Sequence, residues 1–158
     1  DRMAVLDNGV LQQVGTAAAL FDFPANRFVA SFVGTANLVE GRVTHVNGET
    51  LHFQADGLGE MVLPRNQESP VTGPASLSFR PHTVHIRVRD DQGDASRIWL
   101  DGRVESSEFL GETSRYRVRV GETLIVANQS HYSGLSLFPP GAEVRLGIEP
   151  TQARFLTH

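Results

Sequence analysis

The 158-residue chain contains no cysteine, and all 14 of its basic residues are arginine, so lysine is missing too. Without cysteine there is no disulfide, no thiolate metal site and no cysteine nucleophile. Without lysine there is no P-loop, whose lysine must reach the β- and γ-phosphates of a nucleotide. No apolar run approaches the roughly 20 residues that a membrane-crossing helix needs. The start, Asp1-Arg2-Met3, lacks the basic region and long apolar stretch of a signal peptide. A formal net charge of −4 argues against nucleic acid as a partner, because a phosphate backbone selects a basic face.

What remains reads as globular, with 40% hydrophobic and 20% charged residues. Residues 1–36 differ in texture from the rest. Met3-Ala4-Val5-Leu6 is a short apolar strand, and Asn8-Gly9 suits a tight hairpin turn because both residues tolerate positive φ. A return strand over 10–14 is expected. Thr16 then caps a short helix over 17–21, and a second helix opens at Pro24, carries Phe28, Val29, Phe32 and Val33 as one apolar stripe, and stops at Gly34.

From residue 37 the pattern turns β. Short apolar segments alternate with Gly, Pro, Asn and Asp, predicting strands over 38–46, 49–55, 59–64, 74–80 and 84–89. A second set follows over 98–110, 113–120, 122–128, 142–148 and 154–156, after an acidic loop at Asp90–Asp94. The two sets echo each other in order. Leu38-Val39-Glu40-Gly41-Arg42-Val43 returns as Leu100-Asp101-Gly102-Arg103-Val104, and Gly48-Glu49-Thr50 as Gly111-Glu112-Thr113. Leu77-Ser78-Phe79-Arg80-Pro81 is echoed by Leu146-Gly147-Ile148-Glu149-Pro150. A duplicated β unit follows, with halves at about 37–89 and 98–156. Glycine inside a strand marks a bulge or bend, so two partly closed, OB-like barrel halves are expected.

Certain residues also resemble a known family. Asp1 to Gly9, followed by Gln13-Val14-Gly15-Thr16, is similar to the last hairpin of ABC-importer ATPases. Pro24 to Gly34 resembles their exit helix, and Asn37-Leu38 the entry into their accessory domain. Arg80-Pro81, Gly102-x-Val104 and Phe109-Leu110-Gly111 resemble the TOBE domain of importers for polyamines, ferric iron, phosphonates or maltose. Two departures stand out: His82 where the family has Glu after Arg-Pro, and Thr16-Ala17-Ala18-Ala19 where it has Thr-Pro-x-Glu. The resemblance implies a mainly β, OB-like TOBE barrel (37–158) behind the end of an ATPase domain (1–36). It also implies an accessory, dimer-stabilising role in a transporter energised at the cytoplasmic face of a membrane permease. ATP and magnesium belong to the complete subunit; this stretch offers no residues for cofactor, metal or catalysis and is not expected to be an enzyme alone.

Candidate contacts for a second copy or a small ligand are Arg80, His82, Phe109, Leu110, Gly111 and Arg117. Phe109 and Leu110 place two large apolar groups before a turn glycine, which reads either as a barrel corner or as a two-fold contact between copies. Arg115, Arg117 and Arg119 share one strand face, either solvated or facing anions. His45 with His52 and His82 with His85 lack carboxylate partners at ligand spacing, so surface histidines explain them. Asp90-Asp91, and Glu105 with Glu108, read as solvated carboxylates, since acid–base pairs need a shared cleft that shifts their pKa values. An OB-like pocket sensing a small ligand is the alternative function.

Overall fold

The computed structural model describes residues 1–65, 70–133, 135 and 137–156. The first element is a hairpin of β1 (Met3–Asp7) and β2 (Val10–Gly15), turning at Asn8 and Gly9 with φ of 51° and 79°. Those paired positive angles are what a two-residue turn needs to match strand twist. Thr16 accepts the Ala19 N–H at 3.1 Å and so caps α1 (Ala17–Asp22). The second helix, α2 (Arg27–Phe32), begins three residues later than Pro24 because Asn26 accepts the Val29 N–H at 3.0 Å and is the better cap. Its stripe is also split: Val29 packs with Val5 and Leu20 in a small core, while Phe32 is 66% exposed.

The remaining strands are β3 (Asn37–Val46), β4 (Thr50–Ala55), β5 (Gly59–Pro64), β6 (Gly73–Phe79) and β7 (Val84–Val88). They are followed by β8 (Ile98–Phe109), β9 (Thr113–Val120), β10 (Thr123–Ser130), β11 (Glu143–Ile148) and β12 (Arg154–Leu156). Short 3₁₀ turns at Pro81–Thr83 and Pro150–Gln152 precede β7 and β12. Two five-stranded antiparallel sheets result, ordered β12-β6-β3-β4-β5 and β10-β9-β8-β11-β7.

The duplication is visible strand by strand, and the copies exchange their last strands. β7 follows the first unit in sequence but pairs with β11 of the second, and β12 returns to pair with β6 of the first. Both sheets feed one core that includes Val43, Phe53, Leu77, Ile86, Val104, Tyr116, Val118 and Leu146.

Gly41 and Gly102 occupy equivalent points of the two long strands. A methyl at Gly41 would lie 2.3 Å from the Gln54 carbonyl oxygen, and one at Gly102 would lie 2.6 Å from a Val118 methyl. Neighbouring strands therefore close in where only glycine leaves room. Just beyond each glycine the register slips, between Val43 and His45 in one unit and between Val104 and Ser106 in the other. That is a bulge, and it increases local twist as a curling sheet requires.

Candidate functional site

Arg80 leaves the end of β6 and turns back under both helices. Its guanidinium donates to the Phe21 carbonyl through Nε (3.3 Å) and Nη2 (3.0 Å). Nη1 reaches the carbonyls of Ala30 (2.9 Å), Gly34 (3.1 Å) and Thr35 (3.1 Å). These carbonyls lie at or just beyond the C-terminal ends of α1 and α2, where acceptors lack intrahelical partners and a cation is favoured. The cation also sits over the Phe21 ring, 4.2 Å from its centroid. Burial lowers the Arg80 pKa from its ordinary value, and the Asp22 carboxylate partly offsets this. Each of these bonds is internal, so Arg80 fastens residues 1–36 to the β region.

Three more contacts cross the same junction. His82, in the 3₁₀ turn, stacks on the same Phe21 ring, with centroids 6.0 Å apart. Arg27 pairs with Glu40 at 3.2 Å, and Glu40 accepts the Ser76 hydroxyl at 2.6 Å. Arg154 lies over Phe23 at 4.8 Å.

The other sequence candidates lie on the second sheet. Phe109 (56% exposed) and Leu110 (45%) form the β8–β9 tip, with Gly111 at φ 93° completing the turn. Leu110 N–H donates to Thr113 O at 2.8 Å. The Phe109 ring meets His131 edge-on at 4.9 Å, and Tyr132 beside it is 65% exposed. The tip is thus an open apolar and aromatic patch.

Arg115, Arg117 and Arg119 do share the outward face of β9, while Ser114, Tyr116, Val118 and Val120 point inward. Arg119 forks onto both Glu105 carboxylate oxygens (2.9 and 3.1 Å), which raises its pKa. Arg115 donates to Asn128 at 3.3 Å. Arg117 lies opposite Ser106 and Val126 and has no hydrogen-bond or ion-pair partner among the described residues.

The histidines are dispersed. His45 and His52 are cross-strand neighbours with ring centroids 5.5 Å apart, and His52 bonds Glu60 at 3.1 Å. His85 lies on β7, where burial, then Arg97 and Arg87, lower its pKa. His158 falls outside the described residues.

Sequence reasoning missed Asn37. Its side chain is almost fully buried and pairs with one peptide of the other sheet: Nδ2 donates to Val126 O (2.9 Å) and Oδ1 accepts Val126 N–H (2.8 Å). A lone Asn before a strand carries no periodic signal. Its contrast with the apolar Ile98 at the duplicate position was the available clue.

A cavity of about 500 Å³ lies between β5, residues 95–98 and Pro150. Arg97 beside it pairs with Asp94 and, at 3.2 Å, with Glu149. A smaller cavity of about 170 Å³ lies between β7 and the end of β10.

Residues 77–156, half of the chain and all of its second unit, match the TOBE domain family. The chain belongs to that family. The TOBE match is joined by likeness over most of the chain to importer ATP-binding proteins. The chain is 34% identical, over 99% of its length, to the spermidine/putrescine import ATP-binding protein PotA of Thermobifida fusca. It is 33% identical, over 94% of its length, to the Fe(3+) ions import ATP-binding protein FbpC of Rhizobium etli. It spans 40% and 39% of those two relatives, so about two-fifths of the length of each. The solved cytoplasmic molybdate-binding protein ModG has the same fold, with a TM-score of 0.64 at 17% identity, over 77% of this chain and 96% of that one. This supports the OB-like architecture. No helix among the described residues is long and apolar enough to cross a membrane.

Proposed function

We propose that this TOBE chain is the accessory region of an ABC-importer ATP-binding subunit and that it steadies the subunit's two-fold dimer. The observation that carries the reading is the exposed Phe109-Leu110 tip, whose Phe109 ring meets His131, the sequence neighbour of the exposed Tyr132. Large apolar groups grouped at one point of a surface favour a protein contact, and a two-fold contact uses the same patch on both copies. The relatives named as import ATP-binding proteins supply the context.

In this reading residues 1–36 are the end of an ATPase domain. The hairpin leaves Leu6, Val10 and Leu11 more than half exposed, a face suited to packing against the body of such a domain. Arg80 then transmits any movement of that domain into the β region. The residues present do not form a P-loop for ATP, because the chain has no lysine to complete it. Nucleotide, permease contact and a place at the cytoplasmic membrane face therefore belong to the complete subunit.

Sedimentation velocity over a concentration series tests the dimer. The expected outcome is a concentration-dependent dimer that Phe109→Ser with Leu110→Ser abolishes while the circular dichroism spectrum is retained. A strict monomer at the highest concentration, or a dimer indifferent to both substitutions, overturns it. The alternative, ligand sensing, draws on the cavity beside Arg97.

A further inference from the structure

The two units can be superposed residue by residue through their pairing. Gly41 matches Gly102, so Asn37 matches Ile98. The β3–β4 and β8–β9 registers make Phe53 equivalent to Val118, and the β4–β5 and β9–β10 registers then make Val62 equivalent to Val126.

At Val126 the outward N–H and C=O of an edge strand are both taken by the Asn37 carboxamide. The same alternation aims the Val62 N–H and C=O away from β4, because Arg65 N–H bonds Glu49 O three residues on and alternate pairs turn outward. β5 is the edge of its sheet, and no group among the described residues meets that peptide. Ile98 stands where Asn37 stands in the other unit and cannot bond it. Val62 and Ile98 both line the 500 Å³ cavity.

We infer that this cavity is a binding site for a small neutral molecule bearing an amide edge, one N–H beside one C=O, which pairs with Val62 as Asn37 pairs with Val126. The protein holds the template for this recognition in its own duplicate. The size lies within the range of small-ligand sites, and Leu63, Ile98 and Pro150 give the body of the ligand an apolar wall. The charges select against anions. Arg97 is already matched by Asp94 and Glu149, and Glu60 adds a further carboxylate to the rim. An oxyanion finds no spare cation there, whereas a neutral amide gains two hydrogen bonds at a peptide that is otherwise left to water. The inference goes beyond dimer stabilisation, and a chain that stays monomeric can still carry the site.

Benzamide and benzoate make a matched pair of probes, sharing the ring and differing in donor and charge. In a ¹H–¹⁵N titration of the 158-residue chain, benzamide is expected to shift the amides of residues 60–63 and 97–98, and benzoate is not. Ile98→Asn is expected to abolish that response and to slow Val62 amide exchange by about tenfold, the factor a single net hydrogen bond supplies. If Ile98→Asn does not fold, Val62→Pro removes the outward donor at an edge position that tolerates proline and is expected to abolish the response equally. Absence of a benzamide response, an equal response to benzoate, or a response that survives the folded variant overturns the assignment. Oligomeric state is read separately by sedimentation, so the two proposals fail independently.

Discussion

Arg80 shows how one side chain can join two regions that the sequence pattern keeps apart. Its guanidinium answers carbonyls at the ends of two six-residue helices, neither of which is long enough to be stable alone. Removing it strands buried acceptors and also uncovers the Phe21 ring. Arg80→Ala is therefore expected to destabilise the chain by about 3 kcal/mol, since hydrogen bonds to charged groups are worth roughly 1.5–3 kcal/mol and their stranded partners add a desolvation cost. Arg80→Lys recovers less than half, because a compact ammonium cannot fork toward four separate carbonyl groups. Urea denaturation gives the energy. Limited proteolysis gives the place, with new cleavage near residues 34–37 as the junction loosens. A variant as stable and protease-resistant as the parent would remove Arg80 from this role. Nothing in the local sequence announces it: an arginine before a proline reads as a surface residue until the helices it meets are folded against it.

At the scale of the element, the glycines of β3 and β8 set the curl of each sheet. Gly41→Ala pushes a methyl to 2.3 Å from a backbone oxygen and 2.7 Å from the Phe53 ring. The oxygen cannot withdraw without breaking pairing, nor the ring without disturbing the core, so a loss of about 2–3 kcal/mol is expected, at the upper end of ordinary single substitutions. Gly111→Ala, at φ 93° with open space around it, is the contrast and is expected to cost about 1 kcal/mol from backbone strain alone. Thermal or urea unfolding of the two variants checks the ranking, and a reversed order would sink the crowding argument. Here the sequence was informative. The spans 59–64, 113–120 and 154–156 agree at both ends with β5, β9 and β12, because alternation is bounded sharply by turn residues. The interior glycines pointed to bends that are present as bulges. α2 starts at Arg27 and not at Pro24: proline suits a first helical turn, yet Asn26 supplies the side-chain oxygen that an orphan N–H requires. The Asn37 pairing was illegible, since it depends on two residues 89 positions apart meeting across sheets.

For the whole molecule, the exchange of β7 and β12 decides how the fold can come apart. Repetition alone suggests two units that could fold separately. The pairings oppose that, because each sheet completes itself with a strand drawn from the other unit and both sheets share one core. Local pattern cannot reveal the exchange. Duplicate strands present similar faces to either partner, and the choice lies in where the 3₁₀ turns at Pro81 and Pro150 send the chain. Unfolding one unit strips a fifth strand from the other sheet and exposes half of the common core, so partial states are costly and the transition should be all-or-none. Trp99 is well placed as a local probe: its indole N–H bonds Asp94 O at 2.7 Å in the inter-unit loop, and its ring lies close to Gly93 and Gly147. Trp99 fluorescence and far-ultraviolet circular dichroism are expected to give superimposable urea curves with one midpoint. A fragment ending at residue 97 lacks β8 to β12, and with them the partners of β7 and the strand that completes the first sheet, and is expected to show no cooperative transition. Separate midpoints for the two probes, or a cooperatively folded fragment, would mean that each unit carries its own stability and that the exchanged strands merely dock.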